Sequence, residues 1–315
     1  MADKTKIQWT ATVNADGSVT PGSTWNPVRG CSRVSEGCRN CYAESVAARF
    51  SGKDPEGKPL PYYGLARQGD HGPRWTGKVV MVPEHLDDPI RWKRPRRIFV
   101  NSMSDLFQDK LTDDEIARVF RVMLAAPRHT YQVLTKRAER MRRWVNWFAA
   151  ERGEHLPPNI WLGVSAEDQK NADERIPELL DTRASVRFVS AEPLLGPINF
   201  HPWLCRYRNP SKPEQRLANI CSPRDHGIDW IIVGGESGRN ARPFDVEWAR
   251  EIVRQCHDAG AAPFVKQLGA KSFDSTGAWQ ARSFQLHGPE IEEWAPDFAV
   301  REFPSNDVRE VASTA

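Results

Sequence analysis

The chain predicts an α/β fold, a full or partial (β/α) barrel of the TIM type. Three observations carry this. From about residue 78 onward, short β-branched runs alternate with helical patterns, the rhythm of a parallel sheet joined by crossovers. Nearly every apolar run ends in polar residues before its helix, as barrel strands do on the face where active sites lie. With 315 residues and 39% hydrophobic content, the chain can bury one large barrel or two modest domains.

Taken in order, residues 6–10 read as a first strand ahead of a cysteine-bearing loop at 26–44. A strand at 78–82 and a helix at 84–93 follow, then a strand at 97–101. The helix at 112–126 is opened by a threonine cap, with acids in its first turn. Residues 130–134 form a strand and 138–150 a helix; 160–164 and 171–180 repeat the pair. Strands at 186–190 and 230–234, a helix at 246–259 and a strand at 263–267 complete seven or eight units. Three segments interrupt the rhythm: a hairpin insertion at 13–23, a Gly-, Pro- and charge-rich loop or lid at 51–75, and an irregular stretch at 202–229. The barrel thus spans 1–270, and 271–315 is a C-terminal extension, partly disordered past Pro304.

Composition excludes some classes. No apolar run approaches the roughly 18–20 residues that cross a bilayer, so no membrane partner is expected. The chain opens Met1-Ala2-Asp3-Lys4 without a signal peptide, which predicts a cytoplasmic, reducing setting and argues against disulfides. A net charge of +3 does not by itself point to nucleic acid. Two basic clusters with aromatics lean that way: Arg91-Trp92-Lys93-Arg94-Pro95-Arg96-Arg97, and Lys136, Arg137, Arg140, Arg142 and Arg143 followed by Trp144 and Trp147. Solvated helix faces with tryptophans half in the core would give the same pattern.

Cys31, Cys38 and Cys41 carry most of the chemistry. Cys38 and Cys41 are spaced C-x2-C, which lets both sulfurs turn toward one metal, and Cys31 precedes them by C-x6-C. Gly30 and Gly37 stand before the first two and permit the positive φ that wrapping an inorganic centre needs. Three thiolates with no obvious fourth ligand suggest an iron–sulfur cluster with one open iron. A structural zinc completed by His71 or a distant cysteine, or three simply buried cysteines, are the rivals. Cys205 and Cys221 offer a second metal site on thinner grounds. His201 and His226 have no partner at a recognisable spacing. Cys256 lies in the apolar stripe of its helix and reads as core.

The strand ends gather Asn101, Ser102, Ser104 and Asp105; Thr135, Lys136 and Arg137; Ser165, Glu167 and Asp168; Ser190 and Glu192; Glu236 and Ser237; and Lys266 and Gln267. Glu167, Glu192 and Glu236 suit general acid–base work or ligation, or ion pairs with Lys136, Arg137, Arg242 or Lys266. Gly234-Gly235-Glu236-Ser237-Gly238 could cradle a phosphate or only turn the chain.

The run Asn26-Pro27-Val28-Arg29-Gly30-Cys31 through Gly37-Cys38-Arg39-Asn40-Cys41-Tyr42-Ala43 resembles the cluster loop of radical S-adenosylmethionine enzymes, above all the spore-photoproduct-lyase-like branch. That branch spaces its cysteines C-x3-C-x2-C; here the first gap is three residues wider. Asn101-Ser102-Met103-Ser104-Asp105-Leu106-Phe107, Leu134-Thr135-Lys136-Arg137, Trp161-Leu162-Gly163-Val164-Ser165 and Val233-Gly234-Gly235-Glu236-Ser237-Gly238 resemble a phage-associated family of three-cysteine-motif proteins, often encoded beside a dedicated partner protein. The likeness runs from Ile7 to about Gly269.

The resemblance implies a radical-SAM-like barrel. Cys31, Cys38 and Cys41 would bind a [4Fe–4S] cluster, and S-adenosylmethionine would chelate its fourth iron. An external electron donor would drive release of a 5′-deoxyadenosyl radical. Tyr42 would lie near the cluster or adenine, and Ser104, Asp105, Ser165 and Glu167 would hold the methionine and ribose groups. Lys136, Arg137, Glu192, Glu236 and Lys266 would then face a substrate, a nucleic acid or nucleotide. Related enzymes place a Gly-Gly-Glu element after the second strand, whereas Gly234-Gly235-Glu236 falls late, so its role does not carry over. The rivals are a zinc-stabilised nucleic-acid- or partner-binding barrel without radical chemistry, and a hydrolase using the strand-tip carboxylates.

Overall fold

The computed structural model describes residues 4–14, 16–70, 72–204, 227–280 and 287–304. The chain enters through a 3-10 turn, Gln8–Thr10, and a hairpin of β1 (Thr12–Val13) and β2 (Val19–Thr20). β3 (Ser23–Trp25) and β4 (Val28–Arg29) lead into the cysteine loop and α1 (Tyr42–Arg49). A second hairpin, β5 (Ala66–Gly69) and β6 (Gly72–Trp75), folds onto α1, and β7 (Val80–Met81) pairs with β4. After the short α2 (Asp88–Arg91), strands and helices alternate: β8 (Arg97–Val100), α3 (Asp113–Ala125), β9 (Thr130–Thr135) and α4 (Ala138–Arg152). Next come β10 (Ile160–Ser165), α5 (Gln169–Leu180), β11 (Val186–Ala191) and β12 (Trp230–Gly234). β13 (Phe244–Asp245), α6 (Val246–Ala259), β14 (Ala262–Gln267) and β15 (Ser272–Phe273) close the series.

Among the described residues, seven strands form one parallel sheet in the order β3-β8-β9-β10-β11-β12-β14, each beside its predecessor. The two outer strands, β3 and β14, do not pair, so the sheet is a half-barrel flanked by helices and not a closed ring. Alternation along each strand separates two cores. Ile98, Val100, Val133, Leu162, Val189, Ile231 and Val265 face outward onto Ile116 and Phe120 of α3, Met141 of α4, Ile176 of α5 and Ile252 of α6. Phe99, Trp161, Phe188, Trp230, Ile232 and Phe264 form a second cluster with Trp9 inside the curve. Gly163 belongs to this inner row for a steric reason: a Cβ there would lie 2.6 Å from the Phe188 ring. α3 opens with a capping box. Thr112 Oγ1 accepts the Glu115 N–H at 3.2 Å, and the Glu115 carboxylate accepts the Thr112 N–H at 2.8 Å.

The entry segment corrects the sequence-based expectation. Residues 6–10 are not the first strand; the place is taken by β3, buried throughout. Trp9 instead drops its ring into the inner cluster, 4.6 Å from Phe99 and 6.2 Å from Trp230 between centroids. The turn around it packs against β8 and β14, stopping one end of the half-barrel. The expected 13–23 insertion is the β1–β2 hairpin, with Ser23 already in the sheet. The 78–82 strand shrinks to β7, outside the main sheet, and the 84–93 helix to a 3-10 turn Pro83–His85 followed by α2. The lid at 51–75 is real structure, carrying the β5–β6 hairpin.

The described parts of the C-terminal extension, residues 271–280 and 287–304, contribute to the core. Trp279, Trp294 and Phe298 join the outer cluster, and the Trp230 indole N–H donates to the Glu302 carbonyl at 2.9 Å. The tail past Pro304, His71, Cys205, Cys221 and His226 lie outside the described residues. Among the described residues, no helix is long and apolar enough to cross a membrane.

Candidate functional site

The cysteine loop leaves β3 and β4 at the carboxyl end of the sheet, where the strand tips converge. Gly30 takes φ +92°, as a wrapping turn requires, and bridges to Ser104. Gly37 has a different reason to be glycine. It is not in the left-handed region; a Cβ there would sit 2.7 Å from the Glu167 carboxylate. Cys31, Cys38 and Cys41 are half-buried free thiols. Burial, with Asp105 adding and Arg137 opposing, pushes the Cys31 thiol up to about 12. Burial also pushes Cys41 up, against the amides of Glu44 and Ala43. Cys41 interacts electrostatically with both Cys31 and Cys38, so the three sulfurs share one neighbourhood.

Five of the eight residues between the cysteines, Ser32, Ser35, Glu36, Gly37 and Asn40, are tied to the barrel. The Arg137 guanidinium donates to Ser32, at 2.8 Å to Oγ and 3.2 Å to the carbonyl, and to the Asp105 carboxylate at 2.9 Å. Arg33 donates its Nε–H to Glu44 at 3.0 Å and reaches the Arg39 carbonyl at 2.9 Å. The Ser35 hydroxyl and, at 3.3 Å, the Gly37 N–H donate to Oε1 of Glu167. Oε2 of Glu167 takes Lys136 at 3.2 Å and Arg175 at 2.9 Å. Glu236 accepts the Asn40 amide at 2.9 Å and pairs with Arg242 Nη2, which also donates to the Glu36 carbonyl at 3.0 Å. Burial alone would push Glu167 up, but Lys136, Arg175 and the Ser35 hydroxyl outweigh it and hold the carboxyl at about 2.

These contacts assign work to residues singled out from sequence. Asp105 is occupied by four donors: the amides of Phe107 and Lys136, the Thr135 hydroxyl and Arg137. Asp105, Glu167 and Glu236 are therefore engaged with the protein, as fasteners of the cysteine loop. Ser104 Oγ donates to the Val28 carbonyl at 3.0 Å, and the Ser165 carbonyl accepts Arg175 at 2.8 Å. The Gly-Gly-Glu element is part of the same fastening. Gly234 leaves room for Glu192, 2.6 Å from where its Cβ would be, Gly235 packs on the Leu268 carbonyl, and Glu236 grips Asn40 and Arg242.

The less committed groups are Tyr42, Glu192 and Lys266. Lys266 Nζ lies 2.9 Å from Glu192 Oε1, with the Ser190 hydroxyl 3.4 Å from the other oxygen. Tyr42 exposes 55% of its surface, yet desolvation first and Cys41 second push its hydroxyl above the ordinary phenol range. That hydroxyl donates to the Ser102 carbonyl at 2.6 Å and interacts electrostatically with Glu192.

Sequence reasoning missed Glu44, Arg175 and Asn40 as parts of this site, whereas Arg242 was expected as an ion-pair partner of a strand-tip glutamate and pairs with Glu236. Only the position of Asn101 at a strand end hinted at its state. Asn101 takes φ +60°, is 2% exposed, and neither its amide nitrogen nor its oxygen has a partner. A left-handed residue with an unpaired buried amide is a costly arrangement of the kind found at functional sites.

The basic-aromatic clusters do not form one surface. Arg91–Arg97 runs into the first residue of β8 and so lies at the amino end of the sheet, whereas Lys136 and Arg137 follow β9 at the carboxyl end. Arg97 stacks on Trp161 and Phe303, and burial pulls it down to about 10. Arg96 lies over the Trp92 ring, and Arg140 donates to the Gln108 carbonyl. Trp144 is core, stacked at 4.8 Å on Phe148 and close to Phe120, so it is not available to stack on a base.

Three free thiols on one loop, with Tyr42 beside them, are a donor set chemically suited to an iron–sulfur centre that keeps one iron open. Among the described residues, no three His, Cys, Asp or Glu side chains are already drawn together as a ligand group. The architecture defines an α/β half-barrel protein with an anchored cysteine loop across its strand tips. The chain belongs to the family described as "Protein of unknown function (DUF5131)", which matches residues 4–295 and so takes in the loop and all seven sheet strands. No curated protein matches the chain.

Proposed function

We propose that this protein is a radical S-adenosylmethionine enzyme holding a [4Fe–4S] cluster on Cys31, Cys38 and Cys41. The observation that carries the reading is the set of three free, electrostatically linked thiols on a loop fastened over the strand tips of a partial barrel. When bound, cluster and S-adenosylmethionine together supply one-electron reductive chemistry and hydrogen abstraction from a substrate. The chain's own residues orient and enclose. Asp105, Glu167 and Glu236 fix the loop, and the β5–β6 hairpin covers α1 beside it. Tyr42 stands exposed directly after Cys41, and the unpaired amide of Asn101, at the tip of the second sheet strand, is available to the methionine or ribose groups. The Glu192–Lys266 pair faces substrate, and an external electron donor completes the system. A nucleic acid or nucleotide is the substrate class by resemblance alone: Arg91–Arg97 lies at the other end of the sheet, and Lys136 and Arg137 are taken up by Glu167, Asp105 and Ser32. A dedicated partner protein is part of the same reading.

A second reading is a zinc-stabilised binding protein. It is favoured by how fully Asp105, Glu167 and Glu236 are taken up in anchoring the loop. Anaerobic purification separates the two. The radical enzyme should be brown, carry iron and sulfide, and after reduction convert S-adenosylmethionine to 5′-deoxyadenosine and methionine. Colourless protein with stoichiometric zinc and no turnover of S-adenosylmethionine would establish the second.

A further inference from the structure

The widened Cys31–Cys38 spacer would be a liability if left loose, because six intervening residues can hold two sulfurs in many relative positions. The structure holds it from the central strand of the sheet. Glu167, just past β10, accepts the Ser35 hydroxyl and the Gly37 N–H on one oxygen, while Lys136 and Arg175 hold the other. Glu167 is fully buried, and the two cations fix its carboxylate independently of the loop. The approach is so close that Gly37 admits no Cβ, which would lie 2.7 Å from the carboxylate. We propose that Glu167 is the positioning residue of the three-cysteine loop, clamping the spacer through Ser35 and Gly37 so that the path of the chain between Cys31 and Cys38 is set before any metal arrives. This rests on the reading of the cysteines as metal ligands, but the clamp itself can be tested on the metal-free chain.

The experiment measures iodoacetamide alkylation of Cys31, Cys38 and Cys41 in metal-free, full-length protein, resolved by peptide mass spectrometry. Buried Cys256 serves as an internal reporter of global unfolding. Ser35→Ala removes one donor and leaves the Glu167–Lys136–Arg175 cluster intact. Losing a hydrogen bond to a charged group should speed alkylation of Cys31 or Cys38 about tenfold or more. Gly37→Ala should act in the same direction by lifting the loop off the carboxylate. Ser35→Thr keeps the hydroxyl and should restore the slow rate. Cys256 should stay protected in all three, and iron uptake on reconstitution should fall with Ser35→Ala and recover with Ser35→Thr. Loop thiols as slow in Ser35→Ala and Gly37→Ala as in the wild type would overturn the clamp. So would acceleration of Cys256 in step with them, since the contact would then serve the whole barrel. If wild type takes up no iron while the loop-specific rates change as described, the clamp stands and only the cluster reading fails.

Discussion

Asp105 and Arg137 meet at 2.9 Å with both side chains more than nine-tenths buried, and through Ser32 the pair joins the tips of two strands to the cysteine loop. A buried pair of this kind is held in place by what its removal would leave behind. Arg137→Met strands a buried carboxylate, which typically costs about 3–5 kcal/mol. Urea unfolding of metal-free protein should show that loss, and a midpoint unchanged from wild type would show that the pair is open to water.

Stability should also respond to acid through Glu167. Its carboxyl is lowered from 4.5 to about 2 in the folded chain. Above pH 4.5 both folded and unfolded chains hold it ionised, and its contribution is fully present. As pH falls from 4.5 toward 2, the unfolded chain takes up the proton first, so the contribution is lost. Denaturation midpoints across that window should fall less steeply for Glu167→Gln than for wild type. Parallel curves would place the acid sensitivity elsewhere.

Trp144 and Trp147 lie three residues apart on α4 and should behave oppositely. Trp144→Ala opens a cavity among Phe107, Phe120 and Phe148 and should cost about 3–5 kcal/mol. Trp147 is 50% exposed, and its alanine variant should stay within about 0.5 kcal/mol of wild type. Chemical denaturation of both variants reads the difference directly.

Gly163 tests the inner cluster. Gly163→Ala pushes a methyl to 2.6 Å from the Phe188 ring, which sits among Trp9 and Trp230 with little room to yield. Overpacking of this sort should destabilise by about 1–3 kcal/mol. A variant as stable as wild type would mean that the Phe188 ring can move aside.

Single alanine variants at Cys31, Cys38 and Cys41 should each lose iron and sulfide on anaerobic reconstitution, while Cys256→Ala keeps both. Cys256 is buried, and burial pushes its thiol well above the ordinary range. Full iron in any of the three loop variants would remove that cysteine from the ligand set.

Local pattern carried the half-barrel from residue 97 onward. The strand at 230–234 and the helix at 246–259 appear at the expected bounds, and β8, β9, β10 and β11 within a residue or two. Hydrophobic period and capping are properties of neighbours along the chain, so a single sequence displays them. The start of the chain was misread because Trp9 has no periodic partners nearby. Its ring is fixed by Phe99, Phe188 and Trp230, far away in sequence.

The site divides the same way. The identity and spacing of Cys31, Cys38 and Cys41, the need for glycine at Gly30 and the gathering of polar residues at strand ends belong to the sequence alone. That Glu167 reaches Ser35 and Gly37, that Glu236 reaches Asn40, and that Arg91–Arg97 lies at the opposite end from Arg137 were decided only by folding. The Ser35–Glu167 contact joins positions 132 residues apart, and no local propensity records such a pairing. It exists because parallel crossovers bring every strand's carboxyl end to one face, where a buried acid must find its donors in whatever chain crosses above it.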